Sequence, residues 1–141
     1  MGINRCFNIM DFRRIAKRKL PAPVFHYLDG GADDEWSLRR NTDAYDDYEL
    51  LPSHLSDVSS IDTRSTWFGE PMDVPLIIAP TGANRLFHRD GEPAVARAAD
   101  DSGIPYSLST VGTTAIDDIA AIGSNPKMFQ IYVLKDRELT R

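Results

Sequence analysis

The stretch "PLIIAPTGA" at residues 75–83 is an unbroken apolar run that halts at Pro80 and opens into three small residues, Thr81, Gly82 and Ala83. A short apolar run that stops at a turn former reads as a strand. The segment after it changes period. Gly91 to Ser102 reads as a helix with Ala94, Val95, Ala98 and Ala99 inward, stopped at Gly103. The segment Pro105 to Ser109 then predicts another strand. Thr114 to Asp117 resembles a capping box with Asp in place of Glu, and Ile116, Ile119 and Ala120 form the apolar stripe of a helix that Gly123 stops. Met128 to Val133 predicts a third strand. Strands starting about 25 to 30 residues apart, with helical segments between, are right-handed βαβ units of a parallel sheet.

Upstream of this run the chain has a different character. Ile9, Phe12, Ile15 and Ala16 recur at helical spacing, with Asp11 near the start and Pro21 closing the segment. Pro23 suits the first turn of a second helix carrying Val24, Tyr27 and Leu28, which Gly30 and Gly31 stop. Asp33 is placed to cap a third, on which Trp36, Arg40 and Ala44 share one side. Residues 51–74 contain Pro52, Pro71 and several turn formers, with short extended pieces expected around Thr63 to Phe68. The reading is thus a helical segment over 1–50, an irregular connection over 51–74, and three β/α units over 75–141.

Composition narrows the function. Of 141 residues 42% are hydrophobic and 26% charged, an ordinary globular balance. A net charge of -5 provides no broad basic surface, so a nucleic-acid partner is not expected. The single cysteine, Cys6, has no intrachain partner for a disulfide. No run approaches the roughly 18 apolar residues of a membrane span. The N-terminus, "MGINRCFNIMDF", lacks the apolar core of a signal peptide, and a cytoplasmic location is expected. His26, His54 and His88 lack metal-ligand spacing, so no metal is expected.

Three parallel strands leave two sheet edges open. The chain also closes on "LKDRELTR", where Asp136 is placed to cap a helix given barely one turn. The expectation is an N-terminal third of a (β/α)8 barrel, an architecture of about 250 residues, preceded by the helical segment. A complete, non-catalytic binding module derived from that third is the alternative reading.

Four segments carry a resemblance: "LPAPVFHYLDGGADDEWSLRRN" (20–41), "PLIIAPTGA" (75–83), "GEPAVARAADDSGIPYSLSTVGTTAIDDIA" (91–120) and "MFQIYVLKDR" (128–137). In order and spacing they resemble the FMN-dependent L-2-hydroxy acid oxidases and dehydrogenases, the group that includes glycolate oxidase and the lactate and mandelate dehydrogenases. "FHYLDGGA" and "SLSTVGTT" are most similar to the bacterial L-lactate dehydrogenases. The resemblance implies a TIM barrel with FMN at the carboxyl ends of its strands and oxidation of a 2-hydroxy acid to a 2-oxo acid. It further implies a homo-oligomer at full length and an electron acceptor that is oxygen, a quinone or a cytochrome. A diphosphate-binding FMN barrel, such as the flavin-dependent isopentenyl diphosphate isomerase, is the other member of this architecture to weigh. Tyr27, reserved for a carboxylate, argues against it.

The resemblance also distributes roles over residues whose bare reading stays open. Pro80, Thr81 and Gly82 border the flavin ring by resemblance; read alone they are an ordinary strand-to-loop turn. Ser109 directs its hydroxyl at the flavin, or makes a local turn hydrogen bond. Gln130 and Tyr132 share one side of an alternating strand. The resemblance gives Gln130 to the flavin ring and Tyr132 to the reacting oxygen of the substrate, which makes Tyr132 the candidate catalytic residue. Tyr27 sits on an ordinary apolar helix face by spacing, and the resemblance turns its hydroxyl to the substrate carboxylate. The family's histidine base, its carboxylate-binding arginine, its flavin-side lysine and its phosphate cradle all fall beyond Arg141. Arg13, Arg14, Lys17, Arg18 and Lys19 give the first helix a basic face, compatible either with solvent or with peripheral attachment at the inner face of a membrane.

Overall fold

A computed structural model describes residues 2–138 and divides the chain into two compact units, Met1–Val58 and Ser59–Arg141. The first is helical. Helix α1 (Ile9–Lys19) is capped by Asn8, whose side chain accepts the Asp11 backbone N–H at 2.9 Å, while the Asp11 carboxylate accepts the Phe7 N–H at 3.0 Å. Asp11 therefore helps to cap the helix, with Asn8 as the N-cap itself. The helix stops at Leu20, because a residue before proline is steered away from the helical region. Pro23 lies in the first turn of α2 (Ala22–Asp29), where its missing N–H costs nothing. On the exposed side Arg13 pairs with Asp29, holding the Asp29 carboxyl below and the Arg13 guanidinium above their usual ranges. Arg14 pairs with Asp11, so two of the five residues on the basic face already have anionic partners.

The start of α3 (Trp36–Asp43) differs from the sequence expectation. Asp33 does not cap it: both Asp33 and Glu35 adopt left-handed backbone, at φ 48° and 58°, and Glu35 holds the N-cap position with no side-chain cap. The tight turn, closed by Glu35 N–H to the Ala32 carbonyl at 2.9 Å, uses Asp33 as a turn residue instead.

The second unit opens with a hairpin, where the sequence predicts short extended pieces around Thr63 to Phe68. Strands β1 (Ser65–Trp67) and β2 (Glu70–Met72) pair antiparallel around Phe68 and Gly69, at φ 49° and 87°. Two left-handed central residues are what a two-residue hairpin turn matching the strand twist demands. Three parallel strands follow in the order β3 (Ile78–Thr81), β4 (Tyr106–Leu108), β5 (Lys127–Phe129), connected through α4 (Gly91–Asp101) and α5 (Ile116–Ala120). This is the arrangement of successive β/α units found in part of a barrel.

All three strands are shorter than the apolar runs that foretold them. Before β3, Leu76 N–H bonds the Val74 carbonyl at 2.8 Å, a tight turn around Pro75 that delays the strand to Ile78. Between Ile78 and Thr81 the register against β4 slips by one residue. The slip accommodates Pro80, which has no N–H to give to a regular ladder.

The core lies between β4 and the helices. Ala96, Ala99, Tyr106, Leu108 and Ile119 are buried together, with Ile78, Val95, Ile104 and Ile122 against them. Ala96 takes the inward place expected of Ala98, which is exposed. Of the stripe foreseen on α5 only Ile119 is buried; Ile116 and Ala120 are exposed. Thr114 does not cap α5, since Ala115 is the N-cap and the Thr114 hydroxyl is committed to Glu92. No helix among the described residues is long and apolar enough to cross a membrane. The helix expected after Asp136 falls on residues 139–141, outside the described residues.

Candidate functional site

The carboxyl ends of β3, β4 and β5 converge through a set of specific hydrogen bonds. The Gln130 backbone N–H continues the ladder to the Leu108 carbonyl at 2.9 Å, after which β4 turns away, with Gly112 N–H on the Ser109 carbonyl at 2.9 Å. A side chain then replaces the ladder. The Thr110 hydroxyl donates to the Gln130 carbonyl and accepts the Tyr132 backbone N–H at 3.1 Å. Gln130 and Tyr132 consequently lie past the end of β5 rather than within it, and their placement comes from Thr110 as much as from strand alternation. Gln130 is half-buried and Tyr132 is 54% exposed.

The orientation of the Gln130 amide is fixed by its neighbours. Its Oε1 accepts the Thr110 backbone N–H at 3.2 Å and the Ser109 hydroxyl at 3.4 Å. A backbone N–H can only donate, so the oxygen must sit there. The Gln130 NH2 group is thereby left as a donor, with no partner among the described residues. Ser109 is buried, and its oxygen also accepts the Val111 N–H at 3.3 Å. Its hydroxyl proton goes to Gln130 and its oxygen closes a local turn.

Gly82 is small for a reason that the sequence did not disclose. A Cβ built on it would lie 2.3 Å from Val111 Cγ2 and 3.2 Å from the Val111 carbonyl oxygen. The loop after β4 occupies the space a side chain would need, and Ala83 N–H bonds the Val111 carbonyl at 2.9 Å. Pro80 and Thr81 are exposed, with the Thr81 hydroxyl on Asn84 Oδ1 at 3.2 Å. Tyr27 belongs to the helical unit, at 71% exposure.

One residue that the sequence reading passed over sits behind these tips. Glu92, in the first turn of α4, is fully buried. Its Oε1 accepts Thr113 N–H at 2.7 Å and Asn84 N–H at 3.2 Å; its Oε2 accepts the Thr113 hydroxyl at 2.5 Å and the Thr114 hydroxyl at 3.0 Å. Burial alone would raise its pKa, but the bonds from Thr113, from its own backbone and from Asn84 outweigh that and bring it down to about 2. Nearby Tyr106 is pushed up to about 12, by burial and then by the Glu92 charge. An acidic residue at a helix start ordinarily complements the helix dipole, which is why nothing in the sequence set Glu92 apart.

Residues 16–141 match the family model described as FMN-dependent dehydrogenase, and the chain belongs to that family, whose cofactor is FMN. Among its relatives, it is 44% identical over 131 residues to an L-lactate dehydrogenase of Alcaligenes faecalis, covering 93% of this chain and 35% of that protein. An L-lactate dehydrogenase of Yersinia pestis (strain Pestoides F) is 43% identical over 131 residues, with 93% and 34% covered. The crystal structure of a soluble mutant of the membrane-associated (S)-mandelate dehydrogenase from Pseudomonas putida superposes with a TM-score of 0.90 at 38% identity, covering 96% of this chain and 39% of that one. The chain spans about a third of the length of the curated relatives it matches.

The donor set at the strand ends fits FMN. The pyrimidine edge of an isoalloxazine presents acceptors, and the Gln130 NH2 is a donor with no partner among the described residues, while Pro80 and Thr81 at the end of β3 are exposed. Among the described residues no group of three or more His, Cys, Asp or Glu is gathered as metal ligands.

Proposed function

We propose that the protein to which these 141 residues belong oxidises a small, lactate-like 2-hydroxy acid to the 2-oxo acid, and that this chain builds one side of its flavin site within a (β/α)8 barrel. The observation that carries the reading is the Gln130 amide, its oxygen committed to Thr110 and Ser109 and its NH2 left to donate. Bound FMN supplies the two-electron acceptor that such an oxidation requires. Around it Pro80, Thr81 and Gly82 line the ring with backbone and one hydroxyl, Gln130 donates to the pyrimidine edge, and Ser109 keeps Gln130 in that rotamer. Donors fixed before reaction stabilise the negative charge that develops on reduction.

Toward the substrate, Tyr132 is the residue for the reacting oxygen and Tyr27 for the carboxylate. The oxidation releases two protons with two electrons, and the proton acceptor is assigned to a histidine of the full-length protein beyond this sequence. Homo-oligomerisation at full length and peripheral attachment to an anionic membrane through the lysines and arginines that end α1 belong to the same proposal.

Anaerobic mixing of the FMN-loaded, full-length protein with L-lactate, glycolate and (S)-mandelate tests it. Bleaching of the flavin band by at least one of the three is expected, slowed by Tyr132→Phe at unchanged flavin content. No bleaching by any of them overturns the reading.

A further inference from the structure

The loops that follow β3 and β4 are joined by one buried anion. Asn84 belongs to the first, Thr113 and Thr114 to the second, and all three donate to the Glu92 carboxylate from the start of α4. Glu92 is fully buried and forms no ion pair among the described residues. Donors on two separate loops meet its charge instead, as a fully buried carboxylate requires. We infer that Glu92 is a positioning residue for the flavin site, fastening the loop after β3 to the loop after β4 so that Thr81, Gly82, Ser109 and Gln130 are held in one arrangement.

The contacts divide this work between the two carboxylate oxygens. Oε1 takes one backbone N–H from each loop and so sets the separation of the two main chains. Oε2 takes the hydroxyls of Thr113 and Thr114, which are thereby withdrawn from capping α5. Asn84 then relays the constraint forward, because its side-chain oxygen receives the Thr81 hydroxyl at the tip of β3. Gly112 lies within the same clamp, its built Cβ 3.7 Å from Glu92 Oε1. The inference rests on the reading of these tips as the flavin side, and it makes Glu92 act on the flavin only through the loops.

The test uses the full-length protein with FMN and compares wild type with Glu92→Gln, which keeps an acceptor oxygen but loses the charge. We expect the FMN dissociation constant to weaken by about tenfold or more, the loss of roughly one charge-assisted hydrogen bond, together with an altered visible circular dichroism of the bound flavin. Wild-type affinity and an unchanged flavin spectrum in Glu92→Gln overturn the inference, even if its unfolding midpoint drops, because a purely structural carboxylate moves only the midpoint. Should Glu92→Gln not accumulate as folded protein, Thr113→Val removes the 2.5 Å hydroxyl bond and is judged by the same two readouts. A wild-type protein that binds no FMN defeats the flavin-site reading and the inference together; wild type that bleaches with a 2-hydroxy acid beside an unaltered Glu92→Gln defeats the inference alone.

Discussion

The Thr110 hydroxyl accepts the backbone N–H of Tyr132 at 3.1 Å while donating to the carbonyl of Gln130, so one side chain stands in for the strand pairing that β4 has abandoned. Thr110→Val keeps the shape and removes both bonds. At this exposed position the expected loss of stability is small, about 1 kcal/mol. Turnover of the full-length protein in the proposed oxidation should fall more than that implies, because Gln130 and Tyr132 lose a common anchor. Thermal unfolding alongside steady-state kinetics separates the two effects.

Gly82→Ala places a methyl group where Val111 Cγ2 already lies, 2.3 Å from the built Cβ. Overpacking of this kind costs about 1–3 kcal/mol. Shrinking Val111 to Ala in the same protein removes the methyl group in conflict and should recover part of the loss. A double-mutant cycle measured by denaturant unfolding checks this; additive losses would show that the two residues do not compete for space.

The Tyr106 hydroxyl is buried with no hydrogen-bond partner among the described residues, and the Glu92 charge adds to the cost of ionising it. Leaving a buried hydroxyl unsatisfied costs about 1–3 kcal/mol. Tyr106→Phe removes the orphan while preserving the ring that packs on Ala96 and Ala99. Stability equal to wild type or higher by about 1 kcal/mol is expected; a clear loss would reveal a partner for the hydroxyl.

Glu92 gives the fold a defined acid response. Its pKa falls from 4.5 to about 2 on folding, so its contribution is fully present above pH 4.5 and is lost as the pH drops toward 2. The stability gap between wild type and Glu92→Gln should therefore be constant above pH 4.5 and narrow steadily below it. Unfolding midpoints measured across that range check the sign, and a gap that widens on acidification contradicts it.

The parallel sheet was legible in the sequence because strand-like segments at 75–80, 105–109 and 128–133 alternate with helical ones at the spacing of βα units, although only β4 is buried throughout. Their ends were not, because a turn at Pro75, a register slip at Pro80 and the Thr110 side chain decide them, and each depends on contacts made only in three dimensions. The same holds for the site. Pro80, Thr81 and Ser109 could be placed at strand ends by position, whereas Gln130 and Tyr132 were expected within the third strand and lie just past its end. Glu92 could not, since its partners lie 8 residues before it and 21 and 22 after. The hairpin was half visible: extended pieces were expected around Thr63 to Phe68, but Phe68 in the left-handed region gave no sequence signal of the turn.

Donation from the Gln130 amide to the flavin is the central element of the proposed site. Gln130→Glu tests this most directly, because a carboxylate still accepts from Thr110 and Ser109 but has no N–H to offer. Titration of FMN into the full-length apoprotein should give a dissociation constant weaker by about tenfold or more, with an unfolding midpoint close to wild type. An unchanged affinity in Gln130→Glu would contradict the placement of FMN against these strand ends.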